Sequence, residues 1–262
     1  MQQLPRPADL FNLTGKTALV SGASGALGSA AARALAGAGA HVVLVGGNSE
    51  KLNELQQELE QQNASASVCE GRPTDEASAA AIIASADAHG GIDILVAAAG
   101  TAIVKPIAEM EPEQWDTVMD ANVRQVWLLS RAATQSFIEQ DRGGKIILIS
   151  SVRAQFATPA GTSAYGPSKS AINMLTKSLA VELGPHQVCV NAIAPTVIRS
   201  KLTAWLFEDD AAEARAGVLA RIPVGRLGEP EDFNGVFMFL ASGASDLVTG
   251  EIINVDGGFS AN

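Results

Sequence analysis

Lys16-Thr17-Ala18-Leu19-Val20-Ser21-Gly22-Ala23-Ser24-Gly25-Ala26-Leu27-Gly28 is the stretch that decides the fold of this chain. Its first half reads as a buried strand. Its second half is a glycine-rich turn that opens a helix. Working outward, the same alternation recurs to the far end. Short β-branched runs predict strands at 16–20, 41–45, 66–70, 92–97, 145–150, 188–193 and 251–255. Ala- and Leu-rich stretches between them predict helices at 26–36, 49–62, 76–89, 113–140, 164–183 and 230–241. Strands that alternate with helices form right-handed βαβ units whose sheet is covered on both faces. The expectation is an α/β, Rossmann-like, doubly wound parallel sheet of about seven strands. No linker or shift in composition divides the chain, so 1–262 is read as a single domain. Residues 198–221 break the alternation, carrying Trp205, Leu206 and Phe207 and then Glu208-Asp209-Asp210. An insertion after a late strand belongs over the carboxyl edge of the sheet. It is therefore expected to be a substrate lid, with an ordinary pair of surface helices as the alternative.

Composition narrows the function class. A net charge of −10 argues against nonspecific binding to a nucleic acid backbone, so an anionic ligand must be held by local groups. Two cysteines, Cys69 and Cys189, make no disulfide framework, and a reducing cytoplasm is the expected compartment. The start has no apolar signal segment, and no apolar run is long enough to span a membrane. No cluster of Cys, His and carboxylates has metal-ligand spacing.

The turn after the first strand is suited to a phosphate. Gly22, Ser24, Gly25, Ala26, Leu27 and Gly28 let the backbone approach a pyrophosphate and aim helix N-terminal amides at it. The second strand runs out at Gly46-Gly47-Asn48, where an acid gripping a ribose 2′-OH is expected and none stands. Lys51 and Arg72 are the nearest basic residues. The missing carboxylate favours NADP(H) and leaves NAD(H) open.

The proton-handling end lies further on. Ser151 closes an apolar run, and Tyr165-Gly166-Pro167-Ser168-Lys169 follows. On a helix, i and i+4 share one face, so Tyr165 and Lys169 sit one turn apart. A cation beside a phenol favours the phenolate, and a phenol so tuned exchanges a proton with a substrate oxygen. Ser150, one residue earlier, is the alternative hydroxyl.

With these residues the chain resembles the short-chain dehydrogenase/reductase family over nearly its whole length, residues 12–258. Its motifs stand in order: the glycine turn, Ala97-Ala98-Ala99-Gly100, Asn122, Ser151 with Tyr165 and Lys169, Asn191-Ala192-Ile193-Ala194-Pro195-Thr196, and Val255-Asp256-Gly257-Gly258. The resemblance implies a nicotinamide-dependent oxidoreductase with a tetrad. Tyr165 would be the acid/base and Ser151 would hold the substrate oxygen. Lys169 would lower the phenol pKa and bond the nicotinamide ribose, and Asn122 would anchor a water in a proton relay. Ala99 and Gly100 would line the dinucleotide, Pro195 and Ile198 would meet the carboxamide, and Ser200 would bond it. It also implies a homotetramer; the apolar Phe237-Met238-Phe239-Leu240 and Ile252-Ile253 are compatible with burial between subunits and equally with a monomer core. Four departures fall at the nucleotide end: Ala26 for a glycine, Ala97-Ala98 for paired asparagines, Arg72-Pro73 where an Asp is usual, and Thr196 after Pro195. Arg153 and Gln155 follow Ser151 and are candidates to line the cleft at the substrate. Ser-Val-Arg-x-Gln is similar to gluconate 5-dehydrogenase-type members, which suggests a keto acid, sugar acid, sugar or polyol. Phe156, Trp205, Leu206 and Phe207 suggest instead a hydrophobic alcohol or ketone. Two rival readings use the same fold: a cofactor-independent lyase of the halohydrin-dehalogenase type, whose members carry Arg where Lys169 stands, and a binding protein without catalysis.

Overall fold

The computed structural model describes residues 6–261. Seven strands form one parallel sheet in the order β3-β2-β1-β4-β5-β6-β7. They are β1 (Thr17–Ser21), β2 (His41–Gly46), β3 (Ala66–Glu70), β4 (Ile94–Ala97), β5 (Gly144–Ile149), β6 (Val188–Pro195) and β7 (Ile252–Val255). All seven fall where the β-branched runs predict them, within two residues at either end. The chain is one Rossmann-like domain.

Strand alternation sorts the core into two layers. Ala18, Val20, Val42, Leu44, Ile94, Val96, Ile147 and Ile149 face one side. They pack on α2 (Ala26–Gly37), α3 (Ser49–Gln61) and α9 (Asn234–Ala241), the last supplying Phe237 and Leu240. Leu19, Val43, Val45, Leu95, Ala97, Ile146 and Leu148 face the other side. There α4 (Glu76–Ala84), α6 (Gln125–Gln140) and α7 (Tyr165–Leu183) cover them with Ile82, Ile83, Leu129, Phe137 and Ile172. A period of two along each strand thus fills both layers. α1 (Pro7–Leu10) precedes the sheet. Of the apolar stretch compatible with either a subunit contact or the monomer core, Phe237 and Leu240 belong to the core.

The order reverses between β1 and β4, so the loops leaving those strands part and open a crevice at the carboxyl edge. The helix expected over 113–140 is broken. α5 (Pro112–Met119) passes through a π turn at Asp120–Arg124 before α6 begins. A single π turn wedges one extra residue into an α-helix, and such turns gather at functional sites. This one carries Asn122.

The glycine turn is held by contacts that admit no side chain. A Cβ on Gly28 would stand 2.1 Å from the Gly22 carbonyl oxygen, and one on Gly22, at φ +70°, would stand 2.6 Å from the Ala99 nitrogen. Gly28→Ala therefore forces helix α2 off β1. It is expected to cost about 2 kcal/mol or more, a fall of roughly 5 °C in the unfolding midpoint for a chain of this size. Calorimetry of the variant checks this, and an unchanged midpoint would show that the turn yields.

Residues 198–221 form short 3₁₀ turns at Ala204–Phe207 and Asp209–Ala211, then α8 (Ala212–Leu219). Phe207, Val218 and Leu219 from this segment pack on Val152, Ile222, Leu227 and Phe259. The segment thus hangs on the turn that follows β5.

Candidate active site

A cavity of about 760 Å³ opens at the crevice, lined by Gly22, Ser24 and Gly25, by Gly46, Gly47 and Arg72, and by Ala98, Ala99 and Gly100. Its size is that of a cofactor site. Gly25 caps α2 with extended backbone, so the amides of Ala26, Leu27 and Gly28 begin the helix without acceptors inside it. The Ala26 methyl does not line the cavity, so this departure leaves the approach to the turn open. Arg72 is the one cationic side chain lining the cavity among the described residues, while Glu113, Asp116 and Asp120 line it with negative charge. Arg72 occupies the room that a side chain at position 47 would need: a Cβ on Gly47 would stand 2.9 Å from Arg72 Nε. Asn48 is used differently from expectation. Its side chain caps α3 by accepting from the Lys51 N–H at 3.0 Å, and it does not line the cavity.

Asn122 is fully buried and pinned in both directions. Its Oδ1 accepts from the Thr101 N–H at 2.8 Å, and its Nδ2 donates to the Thr101 carbonyl at 2.9 Å and to Ser168 Oγ at 3.0 Å. It thereby ties the loop after β4 to the first turn of α7. Ser150 and Ser151 are separated plainly. The Ser150 hydroxyl is consumed by Asn173 and by the Lys169 carbonyl. Ser151 Oγ accepts the Arg153 N–H at 3.1 Å and faces the Tyr165 phenol. Lys169 is 5% exposed, and its ammonium donates to the Ile149 carbonyl at 2.8 Å. Gly100 touches both: a Cβ there would stand 3.0 Å from Asn122 Oδ1 and 3.6 Å from Lys169 Nζ.

The ionisation sense differs from the one that the helical spacing suggests. Burial raises the Tyr165 pKa, opposed by the Ser151 hydroxyl and by the charge of Arg153. Lys169 Nζ lies 5.8 Å from the phenol ring centre. Its own pKa is lowered to about 8 by burial. Depth in the fold therefore outweighs the shared helix face.

The β6 exit is fixed by a two-sided bridge. Arg199 N–H donates to the Gly228 carbonyl at 2.8 Å, and Gly228 N–H donates to the Val197 carbonyl at 3.0 Å. Pro195 and Ile198 are buried there. Ser200 Oγ lies 3.0 Å from Thr203 Oγ1, a partner without a sequence signal. Of the substrate candidates, Arg153 is half-buried, Gln155 is exposed and Trp205 is 57% exposed. Leu206, one residue on, is the most buried side chain of that turn, at 3% exposed. Arg221 and Phe259, which carry no sequence signal, converge with Arg153, whose charge acts on Tyr165. No group of three or more His, Cys, Asp or Glu residues able to hold a metal ion occurs among the described residues. No helix among them is long and apolar enough to cross a membrane.

The comparisons agree with this geometry. A family model described as enoyl-(acyl carrier protein) reductase matches residues 22–260. An uncharacterized oxidoreductase of Mycobacterium tuberculosis is 46% identical over 254 residues, 96% of this chain and 93% of the relative. The gluconate 5-dehydrogenase of Gluconobacter oxydans is 36% identical over 255 residues, 97% of this chain and 98% of the relative. A solved gluconate 5-dehydrogenase from Burkholderia cenocepacia, in complex with NADP and tartrate, superposes with a TM-score of 0.92 at 32% identity, covering 98% of this chain and 100% of that one. A glycine-turned crevice on a seven-stranded parallel sheet and full-length relatives of this kind lead to one conclusion: the chain belongs to the short-chain dehydrogenase/reductase family, as an NAD(P)-dependent oxidoreductase acting on CH–OH groups.

Proposed function

We propose that the protein interconverts a secondary alcohol and a ketone with NADP(H), in the cytoplasm and as a homotetramer. Gly100 carries the proposal. It lines the cavity and lies against both Asn122 and Lys169, so the cofactor cleft and the proton-handling residues are one continuous site. The residues fit a dinucleotide: the glycine turn brings backbone to the cavity wall, where a Cβ on Gly22 would collide with Ala99. When bound, the nicotinamide supplies or accepts the hydride. Ser151 holds the substrate oxygen, and Tyr165 passes its proton to that oxygen in reduction and takes it back in oxidation. Burial keeps the phenol protonated at neutral pH, which suits the donor role. Lys169 stands one turn along α7 to bond the ribose, and Asn122 holds the relay in line. The segment 198–221 acts as the lid. The lyase and binding-protein readings give no work to a buried ammonium whose placement opposes its own charge. Trp127 on α6 and Met174 and Val181 on α7, 45%, 62% and 81% exposed, support pairing of these helices between subunits.

Titration with NADPH and NADH tests the proposal. Saturable binding of NADPH is expected, and binding of neither cofactor overturns it. Arg72 sets the preference, because every other charged side chain lining the cleft, Glu113, Asp116 and Asp120, is an acid. Arg72→Gln is expected to weaken NADPH by about 10- to 100-fold, the worth of a charge-assisted hydrogen bond, and NADH by far less. Equal losses for both would remove Arg72 from 2′-phosphate recognition.

A further inference from the structure

Arg153 and Arg221 come from separate segments and meet over one ring. Arg153 leaves the turn after β5, and Arg221 lies just beyond α8. Arg221 Cζ is 4.2 Å from the Phe259 ring centre and Arg153 Cζ is 5.5 Å from it. Phe259 is 2% exposed, and the Phe156 ring meets it edge-on at 5.8 Å, so the platform is fixed. Neither guanidinium has a carboxylate partner among the described residues, where the arginine ion pairs involve Arg6, Arg33, Arg131, Arg142, Arg199 and Arg226. Arg153 donates from its side chain only to the Phe156 and Ala157 carbonyls, at 3.3 and 3.4 Å. The chain has 28 acidic residues against 18 basic ones, yet none is spent here. The two cations repel, and the charge of Arg153 also reaches Tyr165. An oxyanion set between them would relieve that repulsion next to the group that exchanges the proton. Planar guanidinium forks match a carboxylate two bonds at a time.

We propose that Arg153 and Arg221, seated on Phe259, bind a carboxylate on the substrate, so that the reacting pair is an oxo acid and its hydroxy acid. This rests on the oxidoreductase reading above. Arg221 belongs to the end of the lid segment, so an acid in the cradle also draws that segment over the tetrad.

The test is turnover with NADPH of a panel of 2- and 5-oxo acids, each paired with its methyl ester, and of dihydroxyacetone phosphate paired with dihydroxyacetone. Wild-type enzyme is expected to favour an acid over its ester in kcat/KM. In Arg221→Gln that acid-to-ester ratio is expected to fall by about 10-fold or more, chiefly through KM, with partial recovery in Arg221→Lys. Arg153→Gln should lower the same ratio. A preference for the esters overturns the proposal, as does a preference for the phosphate or a ratio unmoved by both substitutions. Bound NADPH with no turnover of any carbonyl instead sinks the oxidoreductase reading itself, so the two failures are told apart.

Discussion

Tyr165→Phe is expected to lower ketone reduction by about 100- to 10,000-fold, the usual worth of a positioned general acid, with NADPH affinity and unfolding midpoint close to wild type. The phenol oxygen is the only group lost. The ring stays at the head of α7, and the contacts that fix the cleft (Gly22 against Ala99, Asn122 on Thr101) do not pass through it. The pH dependence follows from burial. Because the Tyr165 pKa is raised, the phenol keeps its proton through neutral pH. Wild-type reduction should therefore hold at neutral pH and fall as pH rises through that pKa, whereas oxidation, which needs the phenolate, should climb over the same range. The variant should lose both limbs. Steady-state rates in the two directions across pH check this, and near-wild-type turnover in Tyr165→Phe would remove the residue from the chemistry.

Lys169→Met is expected to destroy activity and stabilise the apoenzyme. The folded-state pKa of Lys169 is about 8 against an ordinary value of 10.5, with burial as the cause. Below about pH 8 the ammonium is charged in both states, and the folded state bears the full cost of hiding it. Between the two pKa values the unfolded chain holds the proton and the folded chain does not, so stability rises with pH and levels off once both are neutral. The gap is worth about 3 kcal/mol. Methionine keeps the length of the stem and removes the charge, but it leaves the Ile149 carbonyl without its donor, a loss of about 1 kcal/mol. A net gain of about 2 kcal/mol should raise the unfolding midpoint by roughly 5 °C at neutral pH and fade in alkali. Thermal unfolding of both proteins across pH measures it. A variant less stable than wild type at neutral pH would mean that the ammonium is better solvated than its surroundings imply.

Much of the architecture was legible because the five inner strands are mostly buried and so read as nearly unbroken apolar runs, while the half-exposed edge strands β3 and β7 still show as short runs between helical stretches. The π turn was not, since a break of one residue inside 113–140 carries no Gly, Pro or cap to announce it, and Asn122 reveals its partners only when Thr101 is brought beside it from the loop after β4. The spacing of Tyr165 and Lys169 correctly set one above the other on α7. It carried no information on how far the fold would withdraw the pair from water, Lys169 fully and Tyr165 in part, and that desolvation decides the direction of both pKa shifts. Trp205 and Leu206 differ by one step on a tight turn, a phase that no pattern in the sequence records. Arg221 and Phe259 lie far from Arg153 along the chain and meet it only where the end of the segment 198–221 and the C-terminal 3₁₀ turn at Phe259–Ala261 fold onto the turn after β5. Asn48 stood where a ribose contact is expected, yet a helix start claimed its side chain.

In the proposed reaction the glycine cleft and the tetrad act together in one hydride and proton transfer. The most direct measurement mixes the enzyme–NADPH complex with an excess of a carbonyl substrate from the panel and follows the reduced nicotinamide absorbance in a single turnover, for wild type and for Tyr165→Phe. The expected result is rapid loss of the absorbance with one equivalent of alcohol formed by wild type, and persistence of the absorbance in the variant. Absorbance that persists in wild type with every carbonyl, or that decays equally fast in the variant, would contradict it.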